Sequence, residues 1–317
     1  MTNQSSTIGI DVGKANLDIH IHPANKSFRC ANTKAGRKDM LACLQKHQMP
    51  QEALAVLEAS GGYERPVWIC LQRAGYKVHL VQPLRARNFI NAKGTRAKTD
   101  KIDAQALACF AASGLTKGAT LPSETQLALR DISRSVQNLR KHAGKVKEQM
   151  EKATHPTVGK ALRALHRSCQ RQAEKLEDVL KNMIQEQKDS SSLFYLFCSM
   201  PGIGHYTAMI LVAELPEIGQ CSKAQIAALS GLAPYTRESG KWKGKSHIAG
   251  GRKQVRKALY MAALSAIRYN PPMKTFYDRL RANGKSFKMA ITATMRKMIV
   301  ALNSMAKNNS PWMAEIT

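Results

Sequence analysis

Four carboxylates stand at places where a solvent-facing charge would be unusual. Asp11 closes the apolar run TIGID and is followed by Val12, Gly13 and Lys14. Glu58 ends ALAVLE and precedes the small, turn-prone ASGGY. Asp100 and Asp103 lie in AKTDKIDAQAL, three residues apart, so a helix starting there turns both to one side. An ionised carboxylate at the mouth of an apolar strand costs free energy unless it is solvated, paired or bound to a cation. Each has a plain explanation by itself, as a turn former or as helix-start acidity favoured by the dipole. Together they leave a second explanation open. Four converging carboxylates repel one another unless cations neutralise them. Two Mg²⁺ or Mn²⁺ ions about 3.5–4 Å apart are the usual hard-oxygen solution, and such a pair suits in-line phosphoryl transfer.

A different chemistry is conceivable downstream. Ser239 sits in RESG, surrounded by Arg237, Lys241, Lys243 and Lys245. A serine so placed could attack a phosphate if a metal lowered its pKa. By residue type alone it is an ordinary turn serine. Basic residues flank both places. Arg85, Arg87, Lys93, Arg96, Lys98 and Lys101 lead into the aspartate pair, either as a solvated surface loop or as contacts to a phosphate backbone. From Arg237 to Lys297 only Glu238 and Asp278 oppose a long series of Lys and Arg that includes Arg252, Lys253 and Arg256. Upstream, MPGIGHYTAMILVAEL has the form of a helix–hairpin–helix. Its Gly202 and Gly204 would expose backbone N–H groups to a phosphate.

These residues need a scaffold. Residues 7 to about 121 read as α/β: strands near 8–11, 17–22 and 28–32, a helix over 38–47, a strand over 53–57, a helix over 65–73, a strand over 77–81 and a helix over 100–112. Strands alternating with helices indicate a mixed or parallel sheet, and Asp11 and Glu58 fall at carboxyl ends of strands, where open sheets hold ligands. Thr99 is placed to cap the helix that carries Asp100. From Leu129 the period changes to alternating threes and fours: Leu129, Ile132, Val136, Leu139, Ala143, Val146 and Met150. After Pro156 a second run follows through Leu162, Leu165, Cys169, Ala173, Leu176, Val179 and Met183. Both are heptad seams, expected to form an antiparallel hairpin or to pair with another subunit. A polar hinge is expected at 190–192 and an all-helical remainder, broken at 200–204 and 231–251. The organisation expected is an α/β domain over 1–124, a coiled-coil hairpin over 125–190 and an all-α domain over 191–317.

The overall balance fits a nucleic-acid partner. The formal net charge is +27 over 317 residues, with a pI near 10.0, so a polyanion is expected, nucleic acid first and an acidic membrane surface second. No apolar run reaches the roughly 20 residues of a membrane span and no signal peptide precedes Ile8, so a cytoplasmic protein, at the nucleoid, is expected. Seven scattered cysteines without a CxxC pair read as reduced thiols. Nine histidines lack metal spacing, and His20 and His22 are expected to face solvent.

The blocks IGIDVGKANLDI, EASGGYERP and PLRARNFINAKGTRAKTDKIDAQALA resemble the DEDD transposase domain, with its RuvC-like RNase H fold. That domain occurs in the insertion-sequence family numbered one-ten (its eleven-eleven subgroup) and in the related Piv-type DNA invertases. The resemblance implies that Asp11, Glu58, Asp100 and Asp103 are a metal-binding tetrad for Mg²⁺ or Mn²⁺, two ions in number. Ser60 departs from the pattern, where threonine is expected, but keeps the hydroxyl. The segment around SGLAPYTRESGKWKGKSHIAGGRKQVRKALYMAAL, with PGIG before it and YNPPMKTFYDRL and GKSFKMAITATMRKM after it, resembles the C-terminal transposase domain of the same family. There the serine before the glycine of this turn becomes covalently joined to DNA. Carried over, the nucleophile is Ser239, and Ser230 and Ser246 do not match the position. The family further implies donor and target DNA as substrates and a structured noncoding bridge RNA as guide; the heptad runs, with four strand cuts to make, lead to the expectation of a homo-oligomer, a dimer assembling to a tetramer. Three alternatives stand beside it: an RNA-independent invertase, a RuvC-like nuclease using water with Ser239 structural, and a non-catalytic nucleic-acid-binding protein.

Overall fold

The computed structural model describes residues 6–92, 99–116, 122–236, 238–239, 242–244 and 246–313. The chain divides into two compact units, up to Pro122 and from Ser123 onward. The first holds strands β1 (Thr7–Val12), β2 (Asn16–His22), β3 (Lys26–Ala31), β4 (Leu54–Glu58) and β5 (Lys77–Val81). Its helices are α1 (Lys34–Lys46), α2 (Arg65–Arg73), α3 (Pro83–Ala92) and α4 (Asp100–Ala112). The sheet runs in the order β3-β2-β1-β4-β5. The first three strands are mutually antiparallel, and β4 and β5 join β1 in parallel.

Side-chain alternation divides this sheet into two faces. Ile8, Ile10, Leu17, Ile19 and Leu57 form one core with Met40 and Leu44 of α1 and Val67 and Leu71 of α2. On the other face Val56 and Val81 pack against Ala86 of α3 and Leu107 and Phe110 of α4. Thr7, Gly9 and Asp11 alternate onto that second face, and α4 lies close against β1. A Cβ on Gly9 would come within 2.0 Å of the Ala104 carbonyl oxygen and 2.2 Å of the Ala108 nitrogen, so only glycine admits the helix at this distance. Thr7 Oγ1 donates to the Ala108 carbonyl at 2.9 Å and pins the contact.

Residues 83–92, to which the sequence pattern assigns no element, form a helix, because Ala86 and Ile90, four apart, are buried beneath the arginines that dominate the sequence. His20 is buried, only 3% exposed, with Nδ1 2.8 Å from Ser27 Oγ. It was expected to face solvent, but α4 packs over β2 as well as β1 and covers that face.

The second unit begins with α5 (Glu124–Lys152) and α6 (Pro156–Gln185), which pack along each other as an antiparallel hairpin. On α5 the buried seam includes Leu129, Val136, Ala143 and Val146, and on α6 it includes Ala173, Leu180 and Ile184. Leu165 and Val179, expected in the seam, are 50% and 44% exposed, since the packed stripe runs one position further round the helix. Then follow α7 (Lys188–Cys198), α8 (His205–Glu214) and α9 (Lys223–Leu229). The polar stretch 190–192 lies inside α7 and is no hinge; Ser190 Oγ donates to Gln187 Oε1 and Ser192 Oγ to the Lys188 carbonyl, both within one turn. Four two-residue strands come next: β6 (Pro234–Tyr235) pairs with β9 (His247–Ile248), and β7 (Glu238–Ser239) with β8 (Trp242–Lys243). The remainder is thus mostly helical rather than wholly so. Helices α10 (Lys253–Tyr269), α11 (Pro271–Ala282) and α12 (Phe287–Asn308) complete it, around a core that includes Phe194, Phe197, Leu211, Leu259, Ile299 and Leu302. Among the described residues no helix is long and apolar enough to cross a membrane, and the seven cysteines are free thiols.

Candidate active site

The face carrying Asp11 also receives the other three carboxylates. Period-two alternation turns Leu54, Val56 and Glu58 toward the same side as Gly9 and Asp11, and the parallel register Ile10↔Leu57 puts Glu58 beside Asp11 at the strand ends. Helix α4, admitted by Gly9, brings Asp100 and Asp103 there with its first turn. Thr99 caps that turn as expected, its hydroxyl accepting from Ile102 N at 3.3 Å. Asp11, Glu58, Asp100 and Asp103 line one cleft of about 530 Å³, together with Pro83, Leu84, Arg87 and Ile90.

The carboxylates feel one another's charge. Burial, then the charges of Asp100, Asp103, Glu58 and Asp18, push the Asp11 carboxyl from its ordinary 3.8 up to about 6. Asp18 lies directly across from Asp11 in the β1–β2 register and is itself nearly buried. Arg29 of β3 answers it: Nε donates to Asp18 Oδ1 at 2.9 Å and Oδ2 at 3.1 Å, and Nη2 reaches Asp100 Oδ2 at 3.2 Å. Neither residue is marked by its neighbours in sequence; the hairpin register alone brings Asp18 onto the face of Asp11.

The loop after Glu58 is shaped by Glu64. Its Oε2 accepts from Ser60 N at 3.1 Å, Ser60 Oγ at 3.0 Å and Gly62 N at 2.7 Å. The serine that departs from the family pattern thus uses its hydroxyl to order the turn. Asn32 ties the neighbouring loops, donating through Nδ2 to the carbonyls of Gly13 and Tyr63.

A cation would meet only hard oxygen donors here, the set that suits Mg²⁺ or Mn²⁺. Among the described residues, no group of three or more His, Cys, Asp or Glu stands in ligating geometry. Asp100 turns to Arg29 instead. What fits a divalent ion is the convergence of four carboxylates on one cleft, where burial first and the neighbouring charges second raise the Asp11 carboxyl.

Ser239 belongs to the second unit, where its backbone pairs with Trp242 across the β7–β8 ladder, and Lys243 lies on β8. Arg237, Lys241 and Lys245, like Lys93, Arg96 and Lys98, lie outside the described residues. Of the basic lead-in, Arg87 lines the carboxylate cleft, whereas Arg85 donates to the Leu115 carbonyl at 3.0 Å and lies over the Phe110 ring. Gly202 has φ +103° and abuts Ala266 of α10, so its glycine is required by backbone and packing together. Gly204 is the N-cap of α8, whose first turn has no side-chain cap. Two arginines of the C-terminal run are engaged within the protein. Arg252 forms a double ion pair with Glu217, both contacts 2.6 Å, and Arg256 donates to the carbonyls of Gly231 and Gly250. Lys253, next in chain, is exposed at the start of α10.

Comparison with known proteins bears on this arrangement. A DEDD-type transposase model named for IS110 matches residues 8–155, and the model of the Transposase IS116/IS110/IS902 family matches residues 195–278. Pilin gene-inverting proteins of Moraxella bovis and Moraxella lacunata are each 26% identical over 313 residues, covering 96% of this chain and 97% of their own. An uncharacterized 43.6 kDa protein of insertion element IS110 from Streptomyces coelicolor is 30% identical over 157 residues, 49% of this chain and 37% of its own. The class is therefore that of DNA transposases and recombinases. Within it, the chain belongs to the IS110 family of transposases, with Piv-type inverting proteins as relatives.

Proposed function

We propose that this protein is a DEDD recombinase whose first unit is a RuvC-like nuclease domain and whose second carries the nucleophile Ser239. The observation that carries the reading is the convergence of Asp11, Glu58, Asp100 and Asp103 on one cleft at the carboxyl ends of β1 and β4. The strand order β3-β2-β1-β4-β5, with one antiparallel wing and one parallel wing, supports the RuvC-like assignment. Those four carboxylates would hold the divalent cations, which when bound supply Lewis-acid neutralisation of a phosphate. Arg87, on the rim of the same cleft, draws the DNA phosphate in and orients it. Arg29 fixes Asp18 and restrains Asp100. The Ser239 hydroxyl attacks the scissile phosphate: its Oγ–P bond forms as the P–O bond to the leaving strand breaks, and the serine proton ends on the oxygen of the leaving strand. A free DNA hydroxyl later reverses the step on a new strand, so the bond energy is kept and no ATP is needed. The helical hairpin would join subunits, because exchange needs four strand cuts. A cytoplasmic site at the nucleoid follows from that substrate.

Guidance by a structured noncoding RNA is part of the proposal. The RNA-independent invertase is the second reading, favoured by the pilin gene-inverting relatives that match this chain nearly end to end. Trapping distinguishes them. The full chain, labelled donor and target DNA and Mg²⁺ are mixed with and without the element's flanking RNA, then separated under denaturing conditions beside Ser239→Ala and Asp11→Ala. A protein-linked DNA band that needs Ser239, Asp11 and RNA is expected. A band independent of RNA favours the invertase. Free cleaved DNA that persists in Ser239→Ala refutes the nucleophile and leaves a water-using nuclease.

A further inference from the structure

A second cleft, of about 390 Å³, lies wholly within the second unit where α5, α8 and α10 meet. Five cations line it: Arg134, Arg140 and Lys141 from α5, and Lys253 and Lys257 from α10. No carboxylate does. Arg134 is held from behind by the fully buried Glu214 at 2.9 Å, and Arg140 pairs with Glu177 while lying 4.1 Å over the Tyr206 ring. These two guanidinium groups are thereby fixed, and the three lysines remain exposed around them. Arg134 and Lys141, seven apart on α5, and Lys253 and Lys257, four apart on α10, each repeat along one face of their helix. The floor between is apolar, built from Ile210, Ala258 and Met261, and Met261 is 64% exposed. Helix α8 starts at this cleft with Gly204 as its N-cap, and its Tyr206 and Thr207 contribute to the wall.

We propose that this cleft is a docking groove for a nucleic-acid phosphodiester backbone, with the hairpin helix α5 forming one wall. Cations repeating along two helices, the three lysines facing no lining acid and the two arginines paired with Glu214 and Glu177 outside the lining, match a linear array of phosphates rather than a single anion. The helical hairpin is then a nucleic-acid-binding element as well as the proposed joint between subunits. The sequence hides this, because Arg134, Arg140 and Lys141 read as the charged flanks of a heptad seam. The inference goes beyond the carboxylate-and-serine mechanism and does not depend on it, since it concerns binding alone.

The test is equilibrium binding by the full chain without divalent cations, so that strand cleavage is silent. Probes are a duplex DNA and a hairpin RNA of similar length, measured across a salt series. Lys141→Ala with Lys257→Ala is expected to weaken one or both probes about tenfold near physiological salt and to lower the salt slope by roughly 1.5–2. Lys152→Ala with Lys160→Ala removes the same charge at the far end of the hairpin and is expected to cost under about twofold. Loss confined to duplex DNA assigns the groove to DNA, loss confined to the hairpin assigns it to RNA, and loss of both assigns it to the shared backbone. Unchanged binding of both probes, or equal losses in the two double variants, overturns the proposal. Unchanged binding alongside an intact Ser239 adduct would leave the mechanism standing and remove only the groove.

Discussion

Replacing Asp11 by asparagine should make the folded protein more stable while abolishing its proposed chemistry. In the folded protein Asp11 is half-buried among Asp100, Asp103, Glu58 and Asp18, and its carboxyl is raised from 3.8 to about 6. A carboxyl raised in this way favours folding only while protonated. Its contribution is fully present below pH 3.8 and is lost as pH rises through about 6. Above pH 6 the ionised group is therefore a penalty. The interval corresponds to ~3 kcal/mol gross, which screening at this half-exposed position reduces to ~1–2 kcal/mol. Asp11→Asn removes that penalty, so at pH 8 without divalent cations its unfolding midpoint should rise by roughly 1.5–3 °C for cooperative unfolding of the chain. The advantage should shrink between pH 6 and 4 and vanish below 3.8. About 10 mM Mg²⁺ should raise the wild-type midpoint and move the variant much less, because cation binding to the folded state stabilises it by linkage. The assay is thermal unfolding of the full chain followed by circular dichroism across pH, with and without Mg²⁺. A variant no more stable than wild type at pH 8, with a wild type indifferent to Mg²⁺, would show that the carboxylates do not share a charge site.

Other consequences follow from single contacts. Gly9→Ala places a methyl group 2.0 Å from the Ala104 carbonyl, so α4 must lift from β1; a loss of roughly 3 kcal/mol or more in chemical denaturation, with loss of activity, is expected. Arg134→Ala strands the buried Glu214 charge and should cost ~3–5 kcal/mol, largely recovered in the double variant with Glu214→Leu, as measured in urea. Glu64→Ala leaves Ser60 N and Gly62 N without their acceptor; faster amide hydrogen exchange in the loop after Glu58 and a loss of ~2 kcal/mol should result.

Much of the architecture is legible in the residues themselves. The apolar runs that end at Asp11 and Glu58, the Thr99 cap and the two heptad runs each follow from local spacing, which governs strands, caps and long helices directly. The site is legible only in part. Sequence marks four acidic residues as unusual, but Asp18 and Arg29 join them through cross-strand register, which neither residue's neighbours reveal. Burial of His20 depends on a helix some 80 residues downstream settling over β2. Likewise, α3 is masked by its arginines, because the two buried positions that make it a helix gain their meaning from a partner surface. Gly9 shows the division most plainly. As a residue in a strand it predicts only a weak point, whereas in the fold its missing side chain is what lets α4 carry Asp100 and Asp103 to Asp11. Residue type and spacing determined which groups could do chemistry here. Only tertiary packing, where backbone approaches backbone, decided which of them meet, and which arginines are engaged within the fold.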